Sequence, residues 1–276
     1  MKKFELTTEF ITNAFGKKLF RIKALVEFGD VKAGELGGYV EKEENVSQDG
    51  NAWVSGDARV YGNAWVHGNA KVFDNAEVSG DARVYGNARV SGNAWVRGNA
   101  KVFDNAEVSG DAWVHGNAKV FDNAEVSGDA RVYGNARVYG DARVYGNAWV
   151  YGDARVYGDA WACGNAWVRG NARVYGDARV SGNAWVSGNA RVSGNAWVYG
   201  DADYALVQGF GTEFRCTTFY RGKNKKIMVN CGCFHGDLEG FRKQVKETRN
   251  GKIAKEYLMI ADLMEYHFTS EDSSDE

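Results

Sequence analysis

The sequence predicts an all-β solenoid, and three observations carry that prediction. Valine recurs at every sixth residue from Val54 to Val198, twenty-five positions with one departure at Ala162. The unit between valines is Val-y-Gly-Asn/Asp-Ala-x, and it runs from residue 51 to about residue 204 without an insertion. Composition is skewed to match: 35 glycines, 9 tryptophans and no proline in 276 residues. Bias of this kind accompanies fixed-period repeats.

Each part of the unit has a structural reason. Ala-x-Val-y alternates, so a strand built from it turns Ala and Val to one face and x and y to the other. Gly followed by Asn or Asp tolerates the positive φ of a tight corner. A helix would lose about 1 kcal/mol to glycine at every sixth residue. Hairpins of four-residue strands would build no common core. Strands that all turn the same way and stack about 4.8 Å apart do bury Val and Ala together.

Val at one position and a small Ala four residues later resembles the pattern of left-handed β-helix hexapeptide proteins. That resemblance implies a left-handed parallel β-helix with three hexads per coil; the periodicity itself shows only the hexad. The run Phe28-Gly29-Asp30-Val31-Lys32-Ala33-Gly34-Glu35-Leu36-Gly37-Gly38-Tyr39-Val40-Glu41-Lys42-Glu43-Glu44-Asn45 is similar to the segment leading into the solenoid of YdcK-like hexapeptide-repeat proteins of bacteria, phages and prophages. Thr217-Thr218-Phe219-Tyr220-Arg221 and Ile227-Met228-Val229-Asn230-Cys231-Gly232-Cys233-Phe234 resemble a small domain that recurs in phage-encoded proteins. The resemblance implies the fold and a bacterial or phage origin, and no particular activity.

The ends should close an otherwise open β-helix, whose unpaired strand edges must be covered. Residues 1–50 read as a small β cap: Phe4–Ile11 and Leu19–Phe28 alternate around the turn Asn13-Ala14-Phe15-Gly16. Val40 and Val46 begin the six-residue rhythm before a two-residue slip at Gln48-Asp49. Residues 51–204 are the solenoid. Residues 205–268 read as a small α+β domain, with strands near 214–221 and 226–231 and helices near 237–248 and 253–267. Residues 269–276 form an acidic tail expected to be disordered.

With no insertion, three hexads per coil stack residues 18 apart, and the x positions sort into three ladders. The first is Trp65, Arg83, Lys101, Lys119, Arg137, Arg155, Arg173 and Arg191, with y partners His67, Tyr85, Phe103, Phe121, Tyr139, Tyr157, Tyr175 and Ser193. Seven cations follow one another there, a candidate partner-binding face. The second is Arg59, Glu77, Trp95, Trp113, Arg131, Trp149, Trp167, Trp185 and Asp203. Its five tryptophans are a candidate oligomer face, because aligned aromatics make an apolar patch. The third mixes Trp53, Lys71, Arg89, Glu107, Glu125, Arg143, Trp161, Arg179 and Trp197.

Cations beside rings suit a polyanion. Against nucleic acid stand Asp104, Asp122, Asp141, Asp159 and Asp177 behind the rings, and a solenoid with 15 basic and 16 acidic residues. These charges are expected to pair locally. The run Gly-Asn-Ala-Lys-Val-Phe-Asp-Asn-Ala-Glu-Val-Ser-Gly-Asp-Ala occurs at 68–82, 98–112 and 116–130, so repeat expansion alone can build short ladders.

Most characterised enzymes with this fold are acyltransferases, whose general-base His and acyl-CoA pocket rely on loops between coils. Here no loop interrupts residues 52–203, and His67 and His115 fall on different faces. Cys231, Cys233 and His235 would share one side of a continuous strand, but Cys-x-Cys is a weak zinc signal. The solenoid has no threonine for an ice-binding array. The overall expectation is a non-enzymatic scaffold without metal or cofactor, presenting flat faces for self-association, as a dimer or trimer, or for partner binding. A host-interaction protein that sequesters a small anionic ligand or masks a host protein is the alternative, and an acyltransferase-like enzyme is a second one. The net charge of −2 argues against a generally basic nucleic-acid binder, and without an apolar run of membrane length or a signal-peptide core a cytoplasmic protein is the expectation.

Overall fold

The structure is a computed structural model that describes residues 2–194, 196–200, 203–211, 215–222 and 225–269. Twenty-five two- or three-residue strands, from Trp53–Val54 to Trp197–Val198, wind into three parallel sheets. Partners are 18 residues apart: Val102 pairs with Val120, and Val120 with Val138. Three hexads therefore close each coil. The repeat's Val and Ala side chains fill one continuous buried column. Strand amides donate to carbonyls of the neighbouring coil, as from Trp95 to Ala112 at 2.9 Å.

The corners explain the glycines. Gly92 has φ +66°, and a Cβ there would stand 2.9 Å from the amide nitrogen of Gly110 one coil on. Asp74, Asp104 and Asp122 occupy equivalent corners with φ of 58–59°, which Asp tolerates better than most residues. Two of these carboxylates offset the strain locally. Asp74 Oδ2 accepts from the Gly92 amide at 3.0 Å, and Asp122 Oδ2 from that of Gly140 at 3.1 Å.

The terminal strands of a parallel stack leave both carbonyls and amides unpaired, so each end of the solenoid has to be covered. The N-terminal strands Phe4–Thr12, Lys18–Ala24 and Leu36–Val40 continue the tryptophan-bearing sheet to eleven strands. Tyr39 and Glu41 amides donate to Ala58 and Val60 carbonyls. Lys3 Nζ reaches the carbonyl of Ala52 at 2.9 Å, and buried Asn45 Nδ2 reaches that of Ala64 at 2.8 Å. Burial pushes the Lys3 pKa down to about 8. Val40 pairs with Val60 and Val46 bridges Val66, twenty residues apart, the extra two being the slip at Gln48-Asp49. Gln48 holds the first strand there, accepting from the Lys3 amide at 2.7 Å.

The C-terminal part is an antiparallel sheet of Tyr204–Phe210, Arg215–Arg221, Ile227–Cys231 and Phe234–Asp237, with helices α1 (Leu238–Thr248) and α2 (Gly251–Thr269). Its own core gathers Phe219, Val229, Phe241, Val245, Ile260 and Phe268. Asp237 caps α1, its Oδ1 accepting from the Gly240 amide at 2.9 Å. This sheet also closes the solenoid: Tyr220 is buried under the Val/Ala column, and Thr218 Oγ1 accepts from the Arg191 amide at 3.0 Å.

Three sequence expectations change. Tyr204–Phe210 and Phe234–Asp237 are strands that no alternation marks. Asp203 does not extend the tryptophan ladder, whose sheet ends at Trp185–Val186; it turns to Arg221 at 3.1 Å instead. Cys231, Cys233 and His235 do not share a strand, because Gly232-Cys233 is the turn of a hairpin that pairs Cys231 with Phe234. In the acidic tail, Thr269 ends α2 and residues 270–276 lie outside the described residues.

Two substitutions test the column. Val120→Asp buries an unpaired carboxylate at a cost of several kcal/mol and is expected to yield no soluble protein. A soluble variant with unchanged circular dichroism would contradict the packing. Ala162 lies between Val144 and Val180 in one column, a layer two methyl groups thinner than its neighbours. Ala162→Val is expected to hold or raise the melting temperature, and a fall of more than about 5 °C would show a layer already full.

Candidate functional site: three ladders of outward side chains

The structure places all the ladder residues just named, apart from Asp203, on three sheets as the 18-residue spacing requires. On the basic face, Arg83, Lys101, Lys119, Arg137, Arg155, Arg173 and Arg191 are successive Cα partners. Beside them His67, Tyr85, Phe103, Phe121, Tyr139, Tyr157 and Tyr175 form one continuous stack, centroids 4.9–5.0 Å apart and planes within 6°. Trp65 closes its upper end on His67 at 3.9 Å. The stack follows from strand spacing, which already equals a favourable ring separation. Each interior ring has both faces occupied, so only ring edges are offered outward.

The local charge pairing expected of this face does not form. Among the described residues, the ion pairs involving a repeat residue are Lys71 with Asp30, Arg143 with Glu125 at 3.7 Å and Asp203 with Arg221. None includes the seven stacked cations. The acids that follow Lys101, Lys119, Arg137, Arg155 and Arg173 along the chain sit at the corner beyond the rings, where Asp122 already accepts the Gly140 amide.

The tryptophan face is organised differently. Trp95 stacks on Trp113 at 5.1 Å, and Trp149, Trp167 and Trp185 stack in turn at 4.9 and 4.8 Å. Arg131 bridges the two groups, 5.5 Å from Trp113 and 4.9 Å from Trp149. Arg97 lies over Trp113 at 4.9 Å and Arg169 over Trp185 at 5.0 Å. Trp185 at the lower end is 41% exposed; the other four are half-buried. On the mixed face, Arg179 sits between Trp161 at 4.3 Å and Trp197 at 5.4 Å.

The corners carry a feature the sequence reading passed over. Asn51, Asn69, Asn87, Asn105 and Asn123 each pass an Nδ2 proton to the next Oδ1 at 2.9–3.1 Å, ending at Asp141. Asp accepts but cannot donate, so the ladder stops there, and Asp159 and Asp177 continue the corner as exposed carboxylates. The sequence does carry the signal, in the Asn/Asp positions that recur at spacing 18 from Asn51 to Asp177.

The groups that could support chemistry are dispersed. His67 belongs to the basic face and His115 to the tryptophan face, stacked on Tyr133 at 5.0 Å. Burial holds both imidazoles below their usual pKa, helped by Arg83 for His67 and by Arg97 and Arg131 for His115. Cys231 Sγ accepts from Thr217 Oγ1, Cys233 is exposed, and His235 Nε2 contacts the Tyr220 hydroxyl at 3.1 Å. Among the described residues no cluster could hold a metal and no helix is long and apolar enough to cross a membrane.

The architecture defines the protein as a three-sided parallel β-solenoid whose outer surface is a set of side-chain columns. A family model described as YdcK β-solenoid repeat matches seven stretches, residues 52–68, 82–98, 130–146, 136–152, 148–164, 172–188 and 184–200. Through this repeat region the chain belongs to the YdcK β-solenoid family. No curated protein matches it.

The two histidines give a pH signature. Their folded pKa lies below the unfolded value of about 6.5, so the unfolded chain takes up protons first. Stability from this source is complete above about pH 6.5 and declines as pH falls below it. Melting curves at successive pH values between 7.5 and 5 are expected to show that decline, flattened in His67→Phe/His115→Phe. An equal slope in both proteins would contradict it.

Proposed function

We propose that this chain is a non-enzymatic scaffold that presents flat, repetitive faces for self-association or to a partner. The observation that carries this reading is the basic column: seven cations at strand spacing with, among the described residues, no carboxylate in ion-pair reach. Like charges directly opposite one another on neighbouring strands repel, and a complementary surface would relieve that repulsion. His67 and His115 serve as members of ring stacks, which supports a surface role over general-base chemistry. The tryptophan face remains a candidate subunit interface. Its indoles cover one another, so it has less apolar area left to bury than the sequence suggests.

A second reading, sequestration of a small anionic ligand, is favoured by one place. Arg173 and Arg191 meet Gln208 and Cys216 of the C-terminal sheet around a cleft of about 370 Å³, with Asn171 and Asn189 beside them.

Sedimentation velocity from about 1 to about 100 µM tests the main reading, in the range of weak association. We expect concentration-dependent mass above the monomer. Its loss in Trp113→Ser/Trp149→Ser/Trp167→Ser would assign the interface to the tryptophan face, and its survival to another. A monomer throughout would contradict self-association. Thiol release from acetyl-CoA would contradict the non-enzymatic reading.

A further inference from the structure

The ring stack of the basic face is closed at one end and open at the other. Below Tyr175 its column continues with Ser193, which is buried against Tyr220, its Oγ 3.4 Å from the phenol oxygen. At the upper end Trp65 lies over His67 at 3.9 Å, and Tyr85 covers the opposite face of that imidazole. The far face of the indole therefore points out of the stack, toward the N-terminal cap. The sheet itself begins with Trp65–Val66. Above it lies the bridge from Val46 to Val66, and Ser47, whose amide donates to the Val66 carbonyl at 2.9 Å, stands where another ring would be. Among the described residues no ring or cation stacks on the far face of Trp65. The indole is 40% exposed, whereas the six rings from Tyr85 to Tyr175 are half-buried.

We propose that Trp65 is the floor of a binding site for a flat heteroaromatic ring that carries an anionic group, a nucleoside monophosphate being the simplest such ligand. The inference goes beyond the scaffold reading and does not depend on it. The anion cleft at Arg173 and Arg191 lies at the other end of the face.

The surroundings of the indole carry the ligand class. Trp65 and Arg83 line a cleft of about 570 Å³ together with Lys42 and Glu44 of the cap, a volume in the ordinary range for small-molecule sites. The ion pairs nearby join Lys2 to Glu43 and Lys17 to Glu41. Among the described residues Lys42, Glu44 and Arg83 have none, so two cations and one carboxylate are left to a ligand. An indole attracts the π-face of a base, and such stacking tolerates any base. The Glu44 carboxylate can accept from an exocyclic amine. Arg83 suits a phosphate, since its planar fork can donate two parallel hydrogen bonds. Ligand length is limited as well. Every ring below Trp65 has both faces occupied, so one base can stack here and the next base of a strand would find only ring edges.

Calorimetric titration of the intact protein with adenosine monophosphate, adenosine and ribose phosphate tests this, in about 50 mM salt so that the Arg83 charge is little screened. One stacked base and one charge-assisted contact predict a dissociation constant between about 0.1 and about 5 mM for adenosine monophosphate. Adenosine is expected to bind at least about threefold more weakly, and ribose phosphate not measurably. Trp65→Ala should weaken the nucleotide at least about tenfold, while Trp65→Phe, which keeps a ring, should stay within about fivefold of wild type. Arg83→Gln should bring the nucleotide down to the affinity of adenosine and leave adenosine unchanged. In proton NMR the adenine ring protons should move upfield on binding to wild type and not in Trp65→Ala, a mark of stacking that an indole serving only to cover His67 would not give. Melting curves check that the variants fold.

No heat and no shift with adenosine monophosphate up to about 5 mM would overturn the proposal. So would binding that survives Trp65→Ala undiminished. Ribose phosphate binding as tightly as the nucleotide would make the cleft a phosphate site without a stacked ring, and adenosine binding as tightly as the nucleotide would remove the anionic group from the ligand. Each of these outcomes leaves self-association, and with it the scaffold reading, untouched.

Discussion

The constraint on which this protein depends is the 18-residue coil. Once Val102 pairs with Val120 and Val120 with Val138, every other position inherits the same offset, because no residue is inserted to change it. Buried valine columns, corner glycines, asparagine ladders and ring stacks are one register expressed at different positions of the hexad. The cap respects it too, absorbing its two extra residues at Gln48-Asp49 so that Val40 and Val46 still land on valines. An insertion within a strand would shift every later side chain relative to the coil above, whereas extra residues at a corner, as at Gln48-Asp49, can loop out and leave the register intact.

Register makes the surface as constrained as the core. Side chains one coil apart are held at strand spacing whether or not they suit one another. Aromatic rings gain from this, since the 4.9 Å between Tyr139 and Tyr157 is close to their preferred stack. Asparagines gain through directed Nδ2-to-Oδ1 ladders, as in other in-register parallel stacks. Arginine gains where a tryptophan lies above or below, as Arg131 and Arg179 show. A run of cations gains nothing from its own column. The face that stacks seven of them is therefore the one whose intramolecular contacts leave the most unsatisfied.

The repeat was almost wholly legible from sequence because its geometry is set by counting. Spacing fixed the sheets, the three ladders and the slip at Gln48-Asp49. What counting could not give was where long side chains go. Asp122 reads as a partner for Lys119, three residues away, yet its carboxylate is taken by the Gly140 amide of the next coil. Indoles that read as an exposed apolar patch instead cover one another. The C-terminal part has no period to count. Its hairpin at Gly232-Cys233 and the turn of Asp203 toward Arg221 depend on tertiary contacts that a local pattern does not encode.

The same physics limits where recognition can arise. A coil without loops offers no deep concave site of its own, and the clefts on the basic face form where the cap and the C-terminal sheet meet the first and last rungs. Along the solenoid, a partner can be recognised only by features that repeat. Such a surface discriminates by period more than by shape. A ligand with a different spacing falls out of step within a few rungs, whereas one with the same spacing adds an equal contact at each. The molecules best matched to a β-solenoid face are therefore other parallel stacks of strands, and another copy of the same chain matches its period without any adjustment.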